Sequence, residues 1–173
     1  MTDEPALRFR PVLPEDLPLL HEWLQRPHVK RWWTDRDSYE EVVARYLPAI
    51  EGSDPTDLHL ALLDDRPVGF LQTYIVADYA EHEETVGAVE GAAGVDLLLA
   101  DEELTGRGIG SEMLRRYVEE IVFARPGTRC CIADPEAANV ASVRAFEKAG
   151  FRVVREYDDP HDGKRHALVR RDR

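Results

Sequence analysis

Gly106, Gly108 and Gly110 alternate in Thr105-Gly106-Arg107-Gly108-Ile109-Gly110-Ser111, between the apolar run at 95–100 and a segment of helical periodicity. A strand, a glycine-rich turn and a helix in that order aim free backbone N–H groups and the positive end of a helix dipole at an anion. The chemistry implied is phosphate binding. The glycines let the backbone approach the oxygens, Ser111 adds a hydroxyl and Arg107 adds charge at the rim. A Walker loop is excluded because no Gly-Lys-Ser/Thr closes the run, and the dinucleotide fingerprint fails because its third glycine position holds Met113. The alternative is that the glycines only tighten a turn and cap a helix.

Asp96 is the lone charge in Val95-Asp96-Leu97-Leu98-Leu99. A buried carboxylate there is costly without a partner, so it marks either a working site or an edge or bulge aspartate bonded to backbone. The six histidines and the neighbours Cys130 and Cys131 show no zinc-ligand spacing, and no metal site is expected. On a strand the two cysteines would face opposite ways, poorly placed to bridge.

Elements that could position these residues follow from periodicity and punctuation. Leu7, Phe9 and Val12 alternate as a strand, and Pro14-Glu15-Asp16 opens a helix through Leu17, Leu20 and Leu24. Asp37 or Ser38 caps a second helix carrying Val42, Val43, Tyr46 and Leu47. Strands at 58–63 and 67–77 form a hairpin, residues 78–92 are expected as an exposed acidic loop, and 95–100 is a short buried strand. A helix from Ile109 ends near Arg125-Pro126-Gly127, and Cys130–Ala133 is a strand. A helix then spans Asn139–Ala149, and Phe151–Tyr157 with Arg165–Val169 form a final hairpin. The order is β-α-α-β-β-β-α-β-α-β-β.

The chain has 173 residues, of which 43% are apolar, enough for one core and one domain covering 1–173. Thirty-four acidic residues against 22 Lys plus Arg give a net charge of -12. That charge disfavours nucleic acid and anionic membranes as partners and favours a polycationic small molecule, although it also serves as a solubilising surface. With no membrane-length apolar run and no signal-peptide pattern, a cytoplasmic protein is expected.

The glycine run after 95–100, with Asn139 and Ala145-Phe146-Glu147-Lys148-Ala149-Gly150-Phe151 downstream, resembles the GNAT family of N-acetyltransferases. In that family the first loop position is usually Gln or Arg, where this chain has Thr105. A narrower similarity, to aminoglycoside 6'-N-acetyltransferases, spans nearly the whole chain. It is carried by His21-Glu22-Trp23-Leu24, His28, Trp32-Trp33, Tyr46-Leu47-Pro48, the Pro67-to-Tyr74 segment, Gly94-Val95-Asp96 and Asp134-Pro135. Several of these elements also occur in siderophore-type acyltransferases.

The resemblance implies an α/β GNAT fold: a central mixed, mostly antiparallel sheet of about seven strands flanked by about four helices. It implies acetyl-CoA as cofactor, with the pyrophosphate on Thr105, Gly106, Arg107, Gly108, Ile109, Gly110 and Ser111. The pantetheine arm would lie along Leu98, Leu99 and Ala100, and Asn139 would meet the cofactor. Asp96 would orient the acceptor amine and take its proton, with a Leu98 or Leu99 N–H polarising the thioester carbonyl. Phe146 stands where many members carry a proton-donating tyrosine and would only pack the pantetheine. Trp33, Gln72, Tyr74 and Asp134 match acceptor-lining positions, although the 78–90 segment lacks the tryptophan pair that such aminoglycoside acetyltransferases carry there. Because Trp32 and Trp33 are adjacent, at least one is expected in the core.

Three functions follow as alternatives: acetylation of an aminoglycoside 6'-amine or similar amino-sugar; acyl transfer to a siderophore lysine, polyamine or protein amine; and a non-catalytic acyl-CoA-binding module. Asp96 favours the first, since siderophore enzymes often have histidine there. The protein would act as a monomer or a homodimer.

Overall fold

A computed structural model describes residues 6–33, 38–87 and 89–173. Its elements are β1 (Leu7–Pro11), α1 (Leu17–Gln25), α2 (Pro27–Lys30), α3 (Tyr39–Ile50), β2 (Asp57–Leu63), β3 (Arg66–Ile75), α4 (Ala80–Val86), β4 (Ala92–Leu99), α5 (Ile109–Tyr117), β5 (Cys130–Ala133), α6 (Val140–Lys148), β6 (Arg152–Asp158) and β7 (Arg165–Asp172). The seven strands form one sheet in the order β1-β2-β3-β4-β5-β7-β6. The β4–β5 pair is parallel, whereas β1–β2, β5–β7 and β6–β7 are antiparallel. Pro11 is tolerated because β1 is an edge strand, where a missing N–H costs no ladder bond.

Local chemistry explains the boundaries. Ser38 caps α3 reciprocally: its hydroxyl accepts from the Glu41 N–H at 3.1 Å while the Glu41 carboxylate accepts from the Ser38 N–H at 2.9 Å. Asp37, the other expected cap, lies outside the described residues. The β2–β3 turn places Asp64 and Asp65 at φ +49° and +66°, the left-handed pair that a two-residue hairpin favours. The helix opened by Ile109 widens into a π-helical turn over Val118–Val122.

Two expectations are corrected here. Residues 78–92 are not an exposed loop: Val76–Asp78 form a 3-10 turn, α4 follows, and β4 begins at Ala92. The helix forms because Val86, only 4% exposed, anchors it to the core beside Ala92 and Val76. The acidic residues around it hid that single apolar contact. The strand bearing Asp96 therefore starts three residues earlier than its apolar run suggests. The short helices α2 and α4 also join the four expected from periodicity, making six among the described residues.

The chain forms two compact units. One comprises the described residues up to Gln72 with Leu97–Thr105, the other Thr73–Asp96 with Gly106–Arg173. The first packs Leu20, Trp23 and Leu24 of α1 and Val42 and Tyr46 of α3 on Leu60, Phe70 and Leu98. The second packs Val76, Val86, Ala92, Cys130, Ile132 and Leu168. Cys130 and Cys131 are both fully buried and unbridged.

Candidate active site

The glycine loop has the backbone that its sequence requires. Gly106 and Gly108 adopt φ +73° and +81°, the left-handed region that L side chains enter at a cost, and nothing lies within 4 Å of where a β-carbon would stand on either. The exposed, open backbone at the head of α5 fits a pyrophosphate cradle. Thr105 and Ser111 shape the loop through their hydroxyls, which donate to the Glu102 carbonyl at 2.6 Å and the Gly108 carbonyl at 2.9 Å.

In the first unit, the end of β4 is braced. Arg26 donates to the Ala100 carbonyl and to Asp101, each at 2.6 Å, and to Glu22 at 2.8 Å. Arg66 bonds the other Asp101 oxygen at 2.9 Å, and His28 Nε2 lies 3.0 Å from the Leu99 carbonyl. The backbone of residues 99–101 is thereby fixed. Leu98 and Ala100 are buried while Leu99 is half-buried.

In the second unit, Gly94 and Asp96 project from the same face of β4, two residues apart. The Tyr74 ring lies across that face: a β-carbon on Gly94 would sit 2.3 Å from its Cζ and 2.6 Å from its hydroxyl oxygen. Tyr74 is held edge-on by Tyr79 at 5.2 Å between centroids, and its hydroxyl shares a 3.2 Å hydrogen bond with His82 Nε2. Burial, then the charges of Asp96 and Asp134, push the phenol well above its usual range. It stays neutral, a hydrogen-bonding group in the field of two carboxylates.

The parallel β4–β5 ladder covers Ala92, Ala93 and Gly94, paired with Cys130, Cys131 and Ile132, whereas β4 runs on to Leu99. Asp96 thus stands just past the end of that ladder. Asp134 directly follows β5. Its Oδ2 accepts from the Tyr157 hydroxyl at 2.6 Å, and its carbonyl lies 2.6 Å from His166 Nδ1.

Residues 12–159 match the family described as "Acetyltransferase (GNAT) domain". The chain belongs to the GNAT acetyltransferase family. It is 32% identical over 152 residues to the aminoglycoside N(6')-acetyltransferase type 1 of Klebsiella pneumoniae, covering 84% of this chain and 74% of that protein. It is 28% identical over 172 residues to the N(6)-hydroxylysine O-acetyltransferase of Escherichia coli, covering 96% of this chain and 52% of that one. Among solved structures, it is similar to aminoglycoside acetyltransferase AAC(6')-Ib in complex with coenzyme A and kanamycin. The TM-score is 0.87 at 29% identity, over 97% of this chain and 95% of that one.

Within this GNAT chain, the second unit brings together Tyr74, Asp96 and Asp134. Trp33 and Gln72 belong to the first. Trp33 packs edge-on against Phe70 at 6.0 Å and joins the core, while Trp32 lies under the Arg31 guanidinium. Gln72 is 8% exposed on β3. Asn139 caps α6 by accepting from the Ser142 N–H at 3.2 Å. Phe146 is 3% exposed and edge-on to Phe151 at 5.0 Å.

Sequence reasoning missed most of the residues that hold these, Arg26 at the end of β4, His82 on Tyr74, and Tyr157 and His166 on Asp134, and gave His28 no role beyond the resemblance. For Tyr157 and His166 the signal was available. A histidine at the start of an apolar strand run, paired across a hairpin with a tyrosine, is a polar group that must find partners once buried.

Proposed function

We propose that this protein transfers an acetyl group from acetyl-CoA to a primary amine of an aminoglycoside, at the 6'-amino group, or of a similar amino-sugar. The observation that carries this reading is Asp96 on the face of β4 that Tyr74 covers, the phenol neutral, seated over Gly94 and in the field of both Asp96 and Asp134. Acetyl-CoA would supply an activated acetyl thioester, and the backbone at 106–111 would hold its pyrophosphate.

The amine must be neutral to attack. Asp96 orients the ammonium by charge-assisted hydrogen bonding and accepts its proton, directly or through a water molecule. Tyr74 bonds a hydroxyl of the acceptor, and Asp134 pairs with a second ammonium group. Phe146 has no proton to give, so the thiol's proton would have to come from solvent, or the chain would turn over more slowly than relatives with a tyrosine there. A net charge of -12 raises the local concentration of a polycation.

The test is thiol release from acetyl-CoA across a panel of amines including kanamycin. Transfer to the aminoglycosides with kcat reduced about 10²- to 10⁴-fold in Asp96→Asn supports the reading; an unchanged rate in that variant removes Asp96 from the mechanism. The similarity to the hydroxylysine acetyltransferase favours a second acceptor class, a lysine-derived side chain. Preference for an N(6)-hydroxylysine acceptor over the aminoglycosides would select it.

A further inference from the structure

Asp134 is gripped at both its carboxylate and its backbone by two rings that the sheet register places side by side. Tyr157 of β6 pairs with His166 of β7, and their rings stack with centroids 5.9 Å apart at 28°. Tyr157 donates its hydroxyl proton to the Asp134 carboxylate at 2.6 Å, and His166 Nδ1 faces the Asp134 carbonyl at 2.6 Å. A carbonyl can only accept, so Nδ1 carries a hydrogen. The other ring nitrogen, Nε2, lies 2.8 Å from an Asp162 carboxylate oxygen and 4.0 Å from Asp159. A carboxylate also accepts only, so the short Nε2 contact requires a second proton, and the ring is an imidazolium.

We propose that Tyr157 and His166 are positioning residues for Asp134, and that the Nε2 proton of His166 couples the placement of Asp134, and with it acceptor affinity, to pH. The acceptor half of this rests on the function proposed above. The hairpin tip supplies the counter-charge: Asp159 and Asp162 each spend one carboxylate oxygen on a backbone N–H, of His161 and Lys164 respectively. Their remaining oxygens face the ring. The other charged groups about it are Asp134, Glu136 with its Lys164 partner at 2.7 Å, and Arg155 over the Tyr157 ring. Burial works against the charged imidazole, but the bonds to the Asp134 carbonyl and to Asp162 outweigh it and raise its pKa above the usual 6.5. The sign follows: the Nε2–Asp162 bond is complete below that ordinary value and is lost as pH rises through the raised one, and the neutral ring keeps its Nδ1–H bond to Asp134 only while it holds this orientation. Above it, two lone pairs face each other across the Nε2–Asp162 contact, and either the hairpin tip or the ring must turn away.

The experiment combines an NMR titration of the His166 ring in the full chain with steady-state kinetics on kanamycin. We expect a ring pKa above 6.5, lowered in Asp162→Asn, and a shift of the Asp134 carboxyl carbon that titrates with the ring. We expect the kanamycin KM of His166→Gln to exceed wild type several-fold at pH 6 and to converge with it above the ring pKa. Tyr157→Phe should raise the same KM with the acetyl-CoA KM unmoved. A ring pKa at or below 6.5, an Asp134 carbon that ignores the ring, or a KM ratio that is constant with pH overturns the proposal. If no amine is acetylated at all, the proposed function fails, and the Asp134 carbon alone decides whether the clamp exists.

Discussion

Tyr74 lies over the α-carbon of Gly94, so that the absence of a side chain at one position sets the placement of a phenol at the other. A β-carbon at Gly94 would fall inside the van der Waals envelope of the ring, 2.3 Å from Cζ. Gly94→Ala should therefore destabilise the protein by about 1–3 kcal/mol and lower acetyl transfer, measured by urea unfolding and thiol release. The double variant Gly94→Ala/Tyr74→Ala should lose less stability than the sum of the two single variants. Additive losses would show that the two residues are not coupled.

The glycine loop proposed to cradle the pyrophosphate is constrained by its backbone rather than by crowding. Gly108→Ala meets no steric neighbour, yet must hold φ near +81°, at a cost of about 1–2 kcal/mol. The acetyl-CoA KM should rise by roughly 5- to 30-fold, with the amine KM little changed. Equal effects on both would place the loop elsewhere in the mechanism.

Arg26 tests the brace on residues 99–101. Arg26→Ala leaves the half-buried Asp101 and the Ala100 carbonyl without this donor, which should cost about 1–3 kcal/mol in unfolding and raise the acetyl-CoA KM. Arg26→Lys should rescue poorly, because one ammonium cannot reproduce the planar fork that reaches Glu22, Ala100 and Asp101 together. Full rescue by lysine would reduce the interaction to simple charge.

A second brace predicts acid sensitivity. Asp16 receives two guanidinium hydrogen bonds from Arg10, at 2.7 and 2.9 Å, and the Leu13 N–H at 2.8 Å. The Arg10 bonds hold its carboxyl below the usual range against the opposing effect of burial. A depressed carboxylate pKa contributes stability above the unfolded value, about 3.9, and loses it as pH falls through the folded one. Asp16→Asn should be less stable than wild type at pH 7, and the gap should narrow below pH 4 in urea titrations. A gap that does not change with pH would assign the loss to packing.

The strand and helix order was legible because the core residues recur at period two or near 3.6 with few interruptions, as at Leu20, Leu24, Val42 and Tyr46. The glycine run was legible because left-handed backbone has a sequence signature. The helix at 80–86 was not, since Val86 is the one residue it buries, among three glutamates, Ala80, His82 and Thr85. That Tyr157 and His166 need polar partners was legible from the hairpin, but that the partner is Asp134 was not. Tyr157 and His166 reach it only through the β6–β7 register, a long-range pairing that no local pattern encodes. Asp96 stood out for the opposite reason, as a lone charge in an apolar run.

Both thiols of the chain lie on β5 with no exposed surface, and burial raises the pKa of each. A thiol-specific reagent added to the folded enzyme should therefore see only the coenzyme A that turnover releases, with no background from the protein. The same reagent becomes a gauge of intactness, because a protein thiol that reacts must belong to a molecule whose second unit has opened.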